Sequence, residues 1–180
     1  MFEVYDNFLN SRDSSAIASA LEHSEFPWYW NSYITREEEL KTFGQFTHTL
    51  YKQNRGIISE WHNTFTGSVM NGIERLYPDK NILLLRSKMN LNLMRDINEP
   101  IGEYHTDWTF PGSIHRTAIY YCNTNNGFTE FETGEKFNSE FNRLVIFDGR
   151  IKHMGYTCTD QQTRVVLNVN YLLMEYETYE

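Results

Sequence analysis

The sequence predicts an α+β protein in which N-terminal helices precede a small antiparallel barrel or jelly roll. Aromatic residues, which favour strands and line pockets, make up 16% of the 180 residues. Helical periodicity is confined to the part of the chain before residue 81, and strand-like segments rich in β-branched and aromatic residues follow it. A run of helices followed by a run of strands is typical of α+β proteins rather than of parallel α/β folds.

The chain is predicted to form one domain. No repeat, low-complexity tract or linker divides it, and its length suffices to bury a single core. We expect the domain to span residues 1–180, with a helical support region at 1–80 and a β-rich core at 81–175.

Two helices are predicted in the support region. Residues 11–23 open with Ser and Asp and continue with apolar residues at helical spacing. Residues 57–77 are the stronger candidate, because apolar side chains recur every three or four residues until Pro78 stops the run. We expect this stripe to pack on a sheet. Between the helices, PWYWNSYI and GQFTHTLY are predicted as strands or extended loops, and the charged run at 36–41 as a solvated face.

Five segments of the core are predicted strands: ILLLRSKMNLNLM, SIHRTAIYYCNT, GFTEFET, FNRLVIFDG and QTRVVLNVNYLLM. Asn126-Gly127 lies between two of these segments, and such a pair supplies the positive φ angles of a two-residue hairpin turn. A second turn is predicted at Asp148-Gly149.

Charge and cysteine usage restrict the class of protein. The net charge of −8 disfavours general nucleic-acid binding, because acidic proteins repel the phosphate backbone. Cys122 and Cys158 fit no zinc spacing, and two free thiols are the simpler interpretation. The N-terminal residues do not resemble a secretory signal, and no apolar run is long enough to span a membrane. We therefore expect a soluble, cytoplasmic protein (in the host cytoplasm if the source is a virus) without nucleic-acid or membrane partners.

Three residues are candidates for a metal site. His105 and Asp107 lie two residues apart, so on an extended strand both side chains point to the same face and can reach one ion. His153 follows the predicted strand FNRLVIFDG and its turn. Two histidines and one carboxylate on one face of a metal leave the opposite positions open, which is the facial triad of non-haem iron(II) oxygenases.

Arg164 strengthens this hypothesis. It opens the strand RVVLNVNYL, where a guanidinium inside an aromatic barrel is costly unless an anion pairs with it. The distal carboxylate of 2-oxoglutarate is such an anion, and arginine can bind it with two parallel hydrogen bonds. A protein carboxylate or solvent is the alternative partner.

Four segments resemble a known family. YHTDW, TAIYYCNTNNGFTEF, NRLVIFDGRIKHMGY and TRVVLNVNYL are similar to the core of the prolyl-4-hydroxylase-like branch of the 2-oxoglutarate oxygenases, especially its small, single-domain viral and bacterial members. The resemblance covers residues 86–173 and rests on the order HxD, H, R within these strands. It does not extend to the N-terminal 80 residues.

The resemblance implies a double-stranded β-helix (jelly roll) with the N-terminal helices packed on one sheet. It also implies Fe(II) and 2-oxoglutarate as cofactors, with ascorbate as a stimulant, and O2 as co-substrate. The reaction implied is hydroxylation of an aliphatic C–H bond coupled to decarboxylation of 2-oxoglutarate to succinate.

Further pocket residues follow from the resemblance. Tyr121 matches a position that hydrogen-bonds the distal carboxylate of 2-oxoglutarate, and Thr117 lies on the same strand face. Asn90 and Asn92 share a face of KMNLNLM, but relatives often carry Tyr at the second position, so Asn92 departs from the pattern.

The substrate is not encoded in these motifs. The family name suggests a prolyl residue in a peptide or protein, whereas fold and cofactor do not fix the substrate. A free amino acid or another small metabolite is the alternative substrate. A catalytically silent jelly-roll binding module, and a cupin-like metalloenzyme that does not use 2-oxoglutarate, are alternative functions.

Overall fold

A computed structural model describes residues 1–32, 44–107 and 114–175. Two α-helices and a short π-helix precede most of the strands, as the change of pattern near residue 81 predicts. The helical segments are α1 (Ser11–Glu22), the π-helix (Asn63–Gly67) and α2 (Ser68–Leu76). The strands are β1 (Glu3–Tyr5), β2 (Tyr29–Asn31), β3 (Gln45–Lys52), β4 (Gly56–Ile57), β5 (Lys80–Leu93), β6 (Pro100–His105), β7 (Ile114–Tyr121), β8 (Phe128–Phe131), β9 (Lys136–Asn138), β10 (Arg143–Asp148), β11 (His153–Tyr156) and β12 (Thr163–Glu175).

The strands of the described segments form two antiparallel sheets. The larger has the order β1-β10-β7-β12-β5-β3-β2, with β4 paired to β3, and the smaller has the order β6-β11-β8-β9. Sequential strands such as β10 and β11 lie in different sheets, so the chain crosses repeatedly from one sheet to the other. This arrangement is consistent with the predicted jelly roll.

The two longest strands, β5 and β12, pair along almost their whole length and form the centre of the large sheet. Arg164 lies opposite Asn92, and Asn168 lies opposite Lys88. Because alternate side chains of a strand share a face, polar residues at every second position of both strands point to the same side of the sheet.

Two buried apolar clusters lie on opposite faces of β7 and β10. The larger one contains Ile17 of α1, Val69 and Ile73 of α2, and side chains of the large sheet such as Leu167. The smaller cluster contains Phe131 and five further buried residues of β7, β10 and β12. The smaller cluster lies on the face toward the small sheet. The polar side chains of β5 and β12 point to this same face.

The long helix predicted at residues 57–77 is wrong in its N-terminal third. Ile57 belongs to β4 and pairs with Tyr51 of β3, so the chain is extended there and not helical. Helical structure begins only at Asn63, as a π-helix that continues into α2. The apolar stripe is buried where the helix exists, at Phe65, Val69 and Ile73, whereas Ile58 is exposed.

The hairpin predicted at Asn126-Gly127 is also wrong. β7 and β8, which flank it, lie in different sheets, and neither residue has a positive φ. The Asn126 N–H instead donates to Asp160 and its side-chain amide donates to Thr159, so this segment packs on the loop before β12. The turn at Asp148-Gly149 is confirmed by the hydrogen bond from the Ile151 N–H to the Asp148 carbonyl.

Helix α1 matches the predicted residues 11–23 to within one residue, and Cys122 and Cys158 are both free and buried. No helix among the described residues has the length and apolar character needed to cross a membrane. The charged run at 36–41 lies outside the described residues.

Candidate metal centre and cofactor pocket

The structure brings His105, Asp107 and His153 together. His105 ends β6 and His153 opens β11, and the two residues are direct partners in the small sheet. Asp107 follows β6 by two residues, in a bend rather than on the strand. Its Oδ2 lies 3.6 Å from His153 Nε2 and its Oδ1 lies 4.0 Å from His105 Nε2. One potential ligand atom from each residue therefore lies within 4.8 Å of the other two.

Asp107 is held by hydrogen bonds to both oxygens. The Arg86 guanidinium donates to Oδ1 at 3.1 Å, while the side-chain amides of Asn168 and Asn170 donate to Oδ2 at 2.8 and 3.3 Å. Asn170 also donates to the Thr117 hydroxyl at 3.1 Å. Only 5% of the Asp107 side chain is exposed, so these donors replace water around a buried carboxylate. They fix its orientation before any metal arrives.

The electrostatics of the cluster favour metal binding. Burial alone would raise the pKa of Asp107, but the neighbouring His153, Arg86 and His105 and the Asn168 hydrogen bond hold the pKa well below its usual range. Burial lowers the pKa of His153, and the Asp107 charge opposes this only in part. An anionic carboxylate and a neutral imidazole are the protonation states that a metal ion requires.

Two nitrogen ligands and one carboxylate oxygen fit iron(II) with open positions for further ligands. Both imidazoles direct Nε2 toward Asp107. Each Nδ1 faces a backbone carbonyl, that of Glu103 at 2.8 Å for His105 and that of Ile151 at 3.5 Å for His153. Such contacts select the tautomer that leaves Nε2 free to bind a metal.

Arg164 is a buried cation without an acidic partner among the described residues. Its side chain donates from Nε to Ser139 at 2.9 Å and from one terminal nitrogen to Thr129 at 3.0 Å. The Tyr121 ring centroid lies 5.7 Å from the guanidinium carbon. Burial lowers the pKa of Arg164, although guanidinium stays charged in proteins. A cation that is 3% exposed and bonded only to hydroxyls is suited to bind an anion.

One cavity of about 210 Å³ connects the candidate metal ligands with Arg164. Its lining comes from the small sheet on one side and from β3, β5, β7 and β12 on the other. The polar and charged residues of this lining are Gln45, Arg86, Lys88, Asn90, Asn92, His105, Thr106, Asp107, Thr129, His153, Arg164 and Asn168.

Comparisons with solved structures identify the fold. A 2OG-Fe(II) oxygenase family oxidoreductase from Burkholderia pseudomallei superposes with a TM-score of 0.68 at 9% identity, over 95% of this chain and 84% of that one. A prolyl hydroxylase from Trichoplax adhaerens, solved with a hypoxia inducible factor peptide, gives 0.66 at 16% identity, over 95% and 83%. A viral collagen prolyl hydroxylase from Paramecium Bursaria Chlorella virus-1 gives 0.56 at 11% identity, over 96% of each chain.

This is the fold of the 2-oxoglutarate oxygenases. The resemblance stated from the four sequence segments is therefore confirmed at the level of the fold. No protein-family model matches the sequence, and no curated protein matches it either.

The remaining predicted residues occupy different places in this oxygenase fold. Asn90 and Asn92 line the cavity, and Asn92 lies 3.5 Å from the Gln45 side-chain oxygen. Tyr121 does not line it but lies behind Arg164, and its hydroxyl donates to Thr129 at 2.9 Å. Thr117 is also set back and reaches Asp107 only through Asn170.

Sequence reasoning missed the donors that surround Asp107 and the cations on β5. Arg86, Lys88, Asn90 and Asn92 occupy every second position of β5 and so share one face of the strand. On β12, Asn168 and Asn170 follow Arg164 on the corresponding face. This alternation was the available signal, because polar residues at every second position of a central strand predict a polar cavity.

Proposed function

We propose that this protein is an iron(II)- and 2-oxoglutarate-dependent dioxygenase that hydroxylates an aliphatic C–H bond. One observation carries the proposal: the buried guanidinium of Arg164, which has no acidic partner among the described residues, opens into the same cavity as the His105, Asp107 and His153 cluster. A metal site alone would fit many enzymes, whereas a metal site with a buried anion anchor fits 2-oxoglutarate.

Each part of the cavity has a distinct task in this proposal. His105, Asp107 and His153 would hold iron(II), and Arg164 would bind the C5 carboxylate of 2-oxoglutarate. With both cofactors bound, the site would couple decarboxylation of 2-oxoglutarate by O2 to hydroxylation of the substrate. The protein supplies geometry, exclusion of water and the anchoring charge.

The strand register separates the two ends of the cavity. Arg164 and Asn168 lie four residues apart on β12, which corresponds to about 13 Å along an extended strand. Asn168 is bonded to Asp107, so the anchor and the metal ligands stand at opposite ends. A five-carbon diacid can therefore lie between them with one carboxylate toward each end.

For the substrate, we propose a prolyl residue in a peptide or protein as the leading candidate. It is supported by the likeness of the fold to prolyl hydroxylases, one of them solved with a bound peptide. A silent binding module is disfavoured, because the three candidate ligands lie together and Arg164 lines the same cavity.

Succinate formation tests the proposed reaction. The metal-free protein would be reconstituted with iron(II) under nitrogen, mixed with 2-oxoglutarate and ascorbate, and exposed to O2. We expect slow succinate formation without substrate that requires both iron and O2. Succinate formation that is insensitive to a chelator of iron, or its complete absence from iron-loaded protein, would contradict the proposal.

A further inference from the structure

Lys88 is a cavity residue that the proposed reaction does not use. It lies on the face of β5 that also carries Arg86, Asn90 and Asn92, and all four line the cavity. Lys88 is opposite Asn168 on β12, whose amide is bonded to Asp107. Its ammonium therefore projects into the part of the cavity where the candidate metal ligands lie, and not into the part that holds Arg164.

The Lys88 ammonium forms no direct ion pair or hydrogen bond with a carboxylate of the described residues, and the acidic group that influences it is Asp107. Arg86, two residues earlier, is already bonded to Asp107, and Asp107 is the only carboxylate of the described chain that lines the cavity. Burial and the nearby Arg86 lower the pKa of Lys88 to about 8, although the Asp107 charge acts in the opposite direction, so most of the amine is still protonated at neutral pH. A partly buried cation without a counter-ion is unfavourable unless a ligand supplies one.

The charge balance of the cavity also favours binding of an anion. Three cationic residues and one carboxylate line its described part: Arg86, Lys88, Arg164 and Asp107. The described lining therefore carries an excess of two positive charges. Iron(II) and 2-oxoglutarate have opposite charges of equal size, so binding both leaves this excess unchanged. The whole chain, in contrast, has a net charge of −8. The excess is therefore a local property of the cavity, of the kind that attracts an anion.

We propose that Lys88 binds a carboxylate of the primary substrate beside the metal centre. This inference rests on the proposed function, and it specifies a chemical class within it. The carboxylate could belong to a free amino acid or to a peptide, either at its C-terminus or on an acidic side chain. In both cases an ion pair with Lys88 would orient the substrate so that the C–H bond to be hydroxylated faces the iron.

Matched pairs of acids and neutral analogues test this assignment. The probes are L-proline with L-prolinamide, and short proline-containing peptides with a free or amidated C-terminus and with Glu or Gln next to proline. Succinate formation above the substrate-free rate is measured for each. We expect stimulation by an acid and not by its neutral partner. Which pair responds distinguishes a free amino acid from a peptide carboxylate.

Variants of Lys88 connect the response to this side chain. Lys88→Met removes the charge from a side chain of similar length, and we expect KM for the responding acid to rise roughly tenfold or more. Lys88→Arg should recover part of the loss. Lys80→Met is the matched control, because Lys80 lies at the start of the same strand, pairs with Glu175 and does not line the cavity. It should leave KM unchanged.

Several results would overturn the inference. Equal stimulation by an acid and its amide, or an unchanged KM in Lys88→Met, would show that Lys88 binds no substrate carboxylate. A lack of response to every acid, while wild type still forms succinate without substrate, would have the same meaning. A loss of 2-oxoglutarate affinity in Lys88→Met as large as that in Arg164→Ala would assign Lys88 to the cofactor. Failure of the wild type to form any succinate would instead reject the proposed function.

Discussion

The carboxylate of Asp107 is central to the candidate metal site, because it links the two histidines to the donors from β5 and β12. We expect Asp107→Ala to abolish stoichiometric iron(II) binding, since only two imidazoles remain and Arg86 loses its counter-ion. Bound iron would be measured after anaerobic dialysis. His23→Ala is the control, because His23 is exposed, contacts Trp61 and does not line the cavity. Equal iron content in both variants would reject this site.

Arg164 is the residue that distinguishes a 2-oxoglutarate site from other facial-triad sites. If Arg164 anchors 2-oxoglutarate as proposed, removing it would leave the C5 carboxylate without its cationic partner in a buried site, which typically costs about 3–5 kcal/mol. At about 1.4 kcal/mol per factor of ten, the Kd of 2-oxoglutarate should rise at least about a hundredfold in Arg164→Ala. Arg164→Lys should recover only part, because an ammonium cannot present the same paired donors.

The measurement for Arg164 is a titration of 2-oxoglutarate into the anaerobic iron(II) protein, followed by the charge-transfer absorbance that chelation produces. Arg150→Ala is the matched control, because Arg150 is exposed and pairs with Asp148 outside the cavity. Iron affinity without 2-oxoglutarate should be nearly the same in all three proteins. Identical titration curves for Arg164→Ala and wild type would mean that another group anchors the cofactor.

At the scale of elements, the loop before β8 supports the Arg164 side chain. A Cβ on Gly127 would lie 2.7 Å from Arg164 Cδ, 2.8 Å from Asn125 Oδ1 and 2.9 Å from the Tyr156 carbonyl oxygen. The carbonyl belongs to the backbone, so side-chain movement alone cannot relieve the overlap. We expect Gly127→Ala to lower the free energy of unfolding by about 1–3 kcal/mol.

The same substitution should also weaken 2-oxoglutarate binding, because Arg164 must move to make room. Denaturant unfolding and the absorbance titration measure the two effects separately. Gly67→Ala serves as the control, since the nearest atom to its Cβ would be 3.9 Å away and the residue is helical. It should be neutral or stabilising by up to about 1 kcal/mol. A Gly127→Ala protein with unchanged stability would show that the loop adapts freely.

For the whole molecule, the buried histidines predict how stability depends on pH. Burial lowers the pKa of His48, which is 4% exposed, and also that of His62. Unfolded histidines titrate near pH 6.5, so in this range the unfolded chain binds more protons than the folded one. The contribution of these neutral histidines to the free energy of unfolding is therefore fully present above about pH 6.5 and is lost as the pH falls below it.

The urea concentration at the unfolding midpoint of the metal-free protein should accordingly decrease as the pH is lowered from 7.5 to 5.5. The double variant His48→Gln, His62→Gln should show a weaker pH dependence, and His153, whose pKa shifts in the same direction, should account for part of the remainder. A midpoint that stays constant or rises on acidification would contradict the lowered pKa values of these histidines.

The residue pattern alone was enough to locate β5, β7, β8, β10 and β12 and to show which residue types could form a site, whereas β6, β9 and β11 were not predicted. β-branched and aromatic side chains mark β5, β7, β10 and β12, because such side chains fit the pleated, half-buried surface of a sheet. The HxD spacing and Arg164 at the start of β12 were likewise readable, since they depend on residue chemistry and on local strand geometry. These local signals were enough to predict an iron and 2-oxoglutarate site.

How these segments meet depends on contacts that form only in the folded chain. The Asn126-Gly127 pair has the composition of a hairpin turn, yet the flanking strands enter different sheets, and sheet partners are non-local. The helix predicted from residue 57 begins at Asn63, because β4 pairs with β3 and competes with helical periodicity. Arg86, Lys88 and Asn168 reach the metal centre through the register of β5 on β12. Register depends on contacts between residues about 80 positions apart, and no local pattern encodes it.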